Sequence, residues 1–109
     1  MEENKLKIRD LRFATEVYLK DLGWRVSDHV SQEDNHSIVT YFNMEGVTMI
    51  VNLLPVNEDI TTAIIQKEHE MSGRKDFTIC NCKNNESKKL IYYIYKFACK
   101  SYISDIFHI

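Results

Sequence analysis

The chain has 109 residues, of which 44% are hydrophobic and 28% charged, with a formal net charge of −2. That length predicts a single domain over residues 1–109, large enough to bury a core without metal ions or disulfides. The charged start, Met1 to Lys5, excludes an apolar signal core, and no apolar run approaches the roughly 20 residues of a membrane span. We therefore expect a cytoplasmic protein without a membrane partner, whose three cysteines are reduced thiols.

The first predicted element is a helix over about residues 8–22. Its apolar residues recur at helical spacing, and charged residues such as Arg12 fall on the other side. The predicted buried face comprises Leu11, Ala14, Val17, Tyr18 and Leu22. Gly23 suits the left-handed position just past a helix, and Trp24 can supply the apolar contact that accompanies this kind of ending.

Strand patterns occupy the middle of the chain. Apolar and polar residues alternate over residues 24–30 and again over 38–45, as in half-buried strands. The pair Glu45-Gly46 predicts a two-residue turn into a strand over 47–54. That strand is apolar on both faces, so we expect it near the centre of the sheet, and Pro55 ends it. A short strand is predicted over 77–80.

Residues 57–72 fit two different structures. The β-branched run over 60–65 favours a strand. Alternatively, Asn57 can cap a helix that has Glu58 and Asp59 in its first turn and that Gly73 ends. We favour the strand, but the pattern leaves the helix open.

A long helix is predicted over about residues 86–106, capped by Asn84, Asn85 or Ser87. Its apolar stripe comprises Leu90, Ile91, Ile94, Phe97, Ala98 and Ile106. Tyrosines widen this stripe: Tyr92, Tyr93, Tyr95 and Tyr102. They suit a protein interface, and the alternative is that they only edge the core. The whole order predicts an α+β fold: an N-terminal helix, an antiparallel β-meander of four or five strands, and a long C-terminal helix packed on the sheet.

Residues that could carry chemistry are sparse. Cys80 and Cys82, together with His69, are the best candidate metal ligands, but a tetrahedral site needs about four ligands and the usual two-residue gap between paired cysteines is absent. Structural thiols are favoured, because buried cysteine behaves as a small hydrophobe. The acidic and histidine residues of 28–36 have irregular spacing, and Glu68-His69-Glu70 lacks the second histidine of a zinc-protease helix. No catalytic residue, metal site or cofactor is predicted.

The last predicted helix also carries lysines among its tyrosines. Such an arrangement can hold single-stranded nucleic acid by charge and stacking, although a solvated helix face is favoured in a chain that is acidic overall. The predicted partner-binding residues are Tyr92, Tyr93, Tyr95, Lys88, Lys89 and Lys96.

Three stretches together resemble the YbjN and type III secretion-chaperone-like family of small α+β domains. They are residues 18–26, where a helix ends in Leu-Gly-Trp, residues 37–54 with their meander, and residues 84–97 with the closing helix. The resemblance is one of topology and covers most of the chain. It implies a non-catalytic domain that is often dimeric and binds other proteins.

Three functional hypotheses follow. The first is a non-enzymatic protein-binding module, adaptor- or chaperone-like, that forms a homodimer through its last helix. The second is a small phage or mobile-element inhibitor that blocks a nucleic-acid-handling defence complex. Frequent Ile, Asn, Lys and Tyr, typical of AT-rich bacterial or phage genomes, and a charge of −6 over residues 1–70 against +4 over 71–109 motivate it. The third is a small metal-binding protein or enzyme built on Cys80, Cys82 and His69.

Overall fold

The computed structural model describes residues 8–32 and 36–99. The elements in chain order are α1 (Ile8–Asp21), β1 (Arg25–Gln32), β2 (His36–Phe42), β3 (Val47–Pro55), β4 (Ile60–His69), β5 (Lys75–Lys83) and α2 (Ser87–Cys99). A short 3₁₀ turn, Asn84–Glu86, leads directly into α2. The predicted α+β fold is confirmed, and its meander has five strands. The predicted positions Tyr102 and Ile106 lie outside the described residues.

The five strands form one antiparallel sheet in the order β1-β2-β3-β4-β5, so each strand pairs only with its neighbours in the chain. Strand β3 is central, as its apolar residues predict. Helix α1 packs over β1 to β3 and α2 packs over β4 and β5. Alternate residues of the inner strands are buried beneath the helices: Val39, Tyr41, Met49, Val51, Leu53, Ala63 and Ile65. The opposite, open face of the sheet exposes Ile50, Phe77 and Ile79.

Helix α1 buries a face that shares Leu11 with the predicted one but is otherwise different. Its buried residues are Ile8, Leu11, Arg12, Thr15 and Leu19. Val17 and Tyr18 are 61% and 51% exposed, so that part of the prediction is wrong. Thr15 can lie in the buried stripe because its Oγ1 donates a hydrogen bond to the Leu11 carbonyl at 2.8 Å. Arg12 packs its guanidinium carbon 4.5 Å from the centroid of the Phe13 ring.

The end of α1 follows its prediction closely. Gly23 has φ of 95°, the left-handed conformation that glycine adopts most readily. The N–H groups of Gly23 and Trp24 donate to the carbonyls of Lys20 and Leu19, each at 3.0 Å. The Trp24 side chain is buried in the core, which gives this helix ending its expected apolar contact.

The ambiguous stretch is strand β4. It forms ladders with β3 on one side and β5 on the other, which satisfies its backbone over its whole length. Asn57 caps a turn instead of a helix: its Oδ1 accepts hydrogen bonds from the N–H groups of Asp59 (2.7 Å) and Ile60 (3.0 Å). The same short side chain can serve either structure, so this signal does not separate helix from strand.

Two further boundaries differ from their predictions. Strand β5 extends well beyond the four residues predicted for it. The turn between β2 and β3 is longer than two residues, because Asn43 Oδ1 accepts hydrogen bonds from the N–H groups of Glu45 (2.9 Å) and Val47 (3.1 Å). Gly46 in this turn has φ of 78°. Within the described ranges, no helix has both the length and the apolar character needed to cross a membrane.

Candidate functional site

A groove of about 510 Å³ runs between the two helices, on the side facing away from the sheet. Its lining residues are Tyr18, Lys88, Ile91, Tyr92 and Tyr95, and we call it the tyrosine groove. The four residues from α2 are spaced at three and four positions, so they form one stripe along the helix. Tyr18 comes from the exposed side of α1, which is available because α1 buries its other face.

Two of the three rings in the groove contact each other. Tyr18 and Tyr95 meet edge to face, with ring centroids 6.3 Å apart and an interplanar angle of 84°. Such a pair contributes about 0.5–1.5 kcal/mol beyond the area it buries. Tyr18 and Tyr92 nevertheless stay 51% and 55% exposed. The groove therefore presents ordered aromatic surface that remains in contact with solvent.

Positive charge borders the groove. Lys88 lines it, and the Lys96 ammonium lies 5.5 Å from the centroid of the Tyr92 ring. A cation over an exposed tyrosine contributes about 0.5–1 kcal/mol. Lys89 has an acidic neighbour instead, since its Nζ is 3.9 Å from Glu86 Oε2. Lys88 and Lys96 are thus the lysines placed to meet a partner's carboxylates.

Tyr95 lies where the groove approaches Cys99 and Asp21. The Cys99 thiol raises the pKa of Tyr95, first by its charge when ionised and then by hydrogen bonding to it. Asp21 adds a smaller effect in the same direction. Tyr95 therefore stays a neutral phenol at physiological pH and can donate or accept a hydrogen bond with a bound partner.

The structure divides the six predicted partner-binding residues. It places Tyr92, Tyr95 and Lys88 in the groove lining, with Lys96 against Tyr92. Tyr93 and Lys89 lie outside the lining; the Tyr93 ring is tilted by 49° to that of Tyr92, with centroids 6.2 Å apart. Sequence reasoning assigned Tyr18 to the core and missed its part in the groove. The position of Tyr18 depends on which face α1 buries. Helical periodicity alone predicted the wrong face.

The candidate metal ligands are not brought together. Cys80 and Cys82 pair with Ala63 and Thr61 near the start of β4, whereas His69 is the last residue of that strand. At about 3.3 Å per residue, His69 is roughly 20 Å from Cys80 along the sheet and farther from Cys82. No group of three or more His, Cys, Asp or Glu residues suited to a metal ion occurs in residues 8–32 and 36–99.

The acidic and histidine residues singled out over residues 28–36 make local hydrogen bonds where the structure describes them. Asp28 accepts a hydrogen bond from the His29 N–H at 2.8 Å, and His36 Nε2 lies 2.8 Å from Asn52 Oδ1. Glu33 and Asp34 lie outside the described residues. Neither pair provides an acid and a base facing a common cavity.

A buried lysine lies under α2, on the helix-covered face of β4. Lys67 is only 2% exposed, and its Nζ is 4.8 Å from the centroid of the Phe97 ring. The sheet register places Lys67 opposite Asp76, whose Oδ1 is 3.5 Å from Arg74 Nε. None of these three charged residues lines the tyrosine groove, and the contact with Phe97 assigns Lys67 to the packing of α2 on the sheet.

No protein-family model matches the chain, and no match was found among curated proteins or solved structures. The resemblance to the YbjN and type III secretion-chaperone-like family therefore stays a prediction. The function proposed for the protein therefore rests on the residues of the tyrosine groove.

Proposed function

We propose that this protein is a non-enzymatic protein-binding module, adaptor- or chaperone-like, that acts in the cytoplasm and holds a segment of a partner protein in its tyrosine groove. The observation that carries the proposal is the pair Tyr18 and Tyr92, each more than half exposed although its ring is already positioned by a neighbour. Ordered aromatic rings lose little conformational entropy on binding, which is why tyrosine is common in binding surfaces.

The groove also indicates what kind of segment it can hold. Its lining combines Ile91 with three tyrosine rings, which suits an apolar side chain of the partner. Lys88 and Lys96 stand beside the rings and favour carboxylates next to that apolar residue. The proposed ligand is therefore an acidic segment of a protein with an apolar anchor.

The test starts from tagged full-length protein purified from nuclease-treated lysate of its source cell. A protein that copurifies stoichiometrically is then titrated against wild type and against Tyr18→Ala/Tyr92→Ala. We expect the double variant to weaken binding at least thirtyfold, because removal of an aromatic anchor costs about 2 kcal/mol or more.

Phe42→Ala is the matched control, since Phe42 is a similarly exposed aromatic residue on the open face of the sheet. It should bind like wild type. Equal loss in both variants, or none in the groove variant, contradicts the proposal.

A second candidate function follows from the exposure of Lys88, Lys89 and Lys96 on α2. It is a small phage or mobile-element inhibitor that blocks a nucleic-acid-handling complex. Reversal of all three charges to Glu should then abolish binding to that complex, and the affinity should fall steeply with salt. Because Lys88 and Lys96 also flank the tyrosine groove, the aromatic variant separates the two candidates. Binding that Tyr18→Ala/Tyr92→Ala leaves intact favours the basic face, and binding that this variant weakens favours the tyrosine groove.

A further inference from the structure

Strand β5 forms an edge of the sheet whose charged residues, Lys75, Asp76 and Lys83, are confined to its two ends. It has nine residues, contains no proline, and pairs with β4 in an unbroken register from Lys75 to Lys83. Phe77 and Ile79 on this strand are 59% and 52% exposed. An edge that is long, regular and apolar in its middle offers its outward backbone groups to another strand.

The other edge of the sheet is different. Strand β1 carries an irregularity in its register between Val26 and Asp28. Such irregularities bend and twist an edge, which discourages further pairing. The two edges of the same sheet are thus built unequally, and only β5 is suited to accept a new strand over its full length.

Symmetry restricts how two copies of β5 can pair. A two-fold axis perpendicular to the sheet keeps each face continuous, so paired residues must lie on the same face and the axis must pass through a residue. An axis at Ile79 places Lys75 opposite Lys83 of the second copy twice, and like charges directly opposite are destabilising. An axis at Cys80 places Phe77 opposite Lys83.

An axis at Thr78 gives the best complementarity. It places Phe77 opposite Ile79 of the second copy, and the reverse, which are the two large apolar residues exposed on the strand. An aromatic residue opposite a β-branched one is a favourable cross-strand pair. Lys75 then faces Asn81 and no like charges are opposed. We propose that a second copy of this chain binds here, with β5 pairing antiparallel to β5 about Thr78 in a continuous ten-stranded sheet.

This arrangement also accounts for the part of α2 that lies outside the groove. Because α1 covers β1 to β3 and α2 covers β4 and β5, the side of α2 away from α1 points toward the β5 edge. Tyr93, 41% exposed, is on that side. In the proposed dimer the two α2 helices lie side by side, and Tyr93 is covered. The tyrosine groove stays open on the opposite side, so the inference does not rest on the proposed function.

The test is the mass of the full-length protein in solution, measured by sedimentation over a wide range of concentration. Wild type should reach twice its 12.9 kDa. Ile79→Lys should raise the dimer dissociation constant at least tenfold, because the change acts twice in a symmetric interface. Ile50→Lys is the control, since Ile50 is on the same open face but in the central strand. It should leave the dimer intact.

A disulfide tests the register. Cys80→Ala and Cys99→Ser remove the accessible thiols, and Thr78→Cys then places two cysteines opposite each other at the proposed axis. We expect a covalent dimer on mild oxidation. A monomer at every concentration overturns the proposal, as does a dimer that Ile50→Lys breaks as readily as Ile79→Lys. A dimer broken only by Tyr92→Ala assigns the contact to the groove and equally overturns it.

Discussion

Two substitutions in α1 test which face of that helix packs on the sheet. Leu19 is fully buried, whereas Val17, two positions earlier, is 61% exposed. The apolar pattern of the sequence places Val17 in the core, so the pair separates the structure from the simpler prediction. Leu19→Ala and Val17→Ala are the variants to compare.

The two substitutions should change the free energy of unfolding by different amounts, and the changes can have opposite signs. Leu19→Ala removes a buried side chain and leaves a cavity, so we expect a loss of about 3 kcal/mol in the free energy of unfolding. For a domain with a total of about 5–15 kcal/mol, this lowers the melting temperature by roughly 10–20 °C. Val17→Ala should stay within about 0.5 kcal/mol of zero, because little packing is lost and alanine favours a helix more than valine does.

The assay is urea unfolding followed by far-UV circular dichroism and by fluorescence of Trp24, the single tryptophan of the chain. Trp24 is buried in the folded protein, so its emission reports loss of the core. A loss above about 1 kcal/mol in Val17→Ala, with a smaller loss in Leu19→Ala, would refute the orientation of α1 and with it the exposure of Tyr18.

Two other predictions concern titratable side chains. Exposed Cys99 should react with iodoacetamide before Cys80 and Cys82, because burial raises the pKa of both strand thiols and lowers their thiolate fraction; peptide mass spectrometry of the native protein checks the order, and faster labelling of Cys82 than Cys99 contradicts it. Burial, with a smaller effect from Glu16, raises the pKa of Tyr41 above its ordinary value of 10.0, so stability due to its neutral form is present below pH 10 and is lost at higher pH. The free energy of unfolding of wild type, relative to that of Tyr41→Phe, should therefore be constant below pH 10 and fall above it. A relative stability that is independent of pH contradicts this explanation.

Much of the fold is predictable from local patterns. The alternation over β2, the apolar run of β3 ending at Pro55, and the glycine after α1 each reflect a constraint within a few residues. The stretch that became β4 is only weakly biased by its β-branched residues. Its ladders with two neighbouring strands decide the outcome, and these are contacts that a local pattern does not contain.

The orientation of α1 could not be predicted because the helix has apolar residues on both sides. Thr15 and Arg12 both lie in the buried stripe, and hydropathy assigns such polar residues to the surface. The Thr15 hydroxyl is satisfied by the Leu11 carbonyl, a hydrogen bond that hydropathy does not represent. The wrong buried face of α1 also affected the prediction of the candidate site. Tyr18 lines the groove only because α1 buries its opposite face. The tyrosines of α2 were identified from the sequence because they widen its apolar stripe beyond what the sheet covers.

The order of pairing in the sheet has a consequence for synthesis of the protein. Each hairpin of the meander joins residues close in sequence, so the strands can pair as they leave the ribosome. The tyrosine groove forms later, because Tyr18 is in the first helix and its partners are in α2, the last element of the described chain. Nascent protein therefore leaves β4 and β5 without their covering helix until α2 docks. Ribosome-bound chains that stop before Ser87 should be more sensitive to protease than completed ones, and no groove exists in them for a partner to occupy.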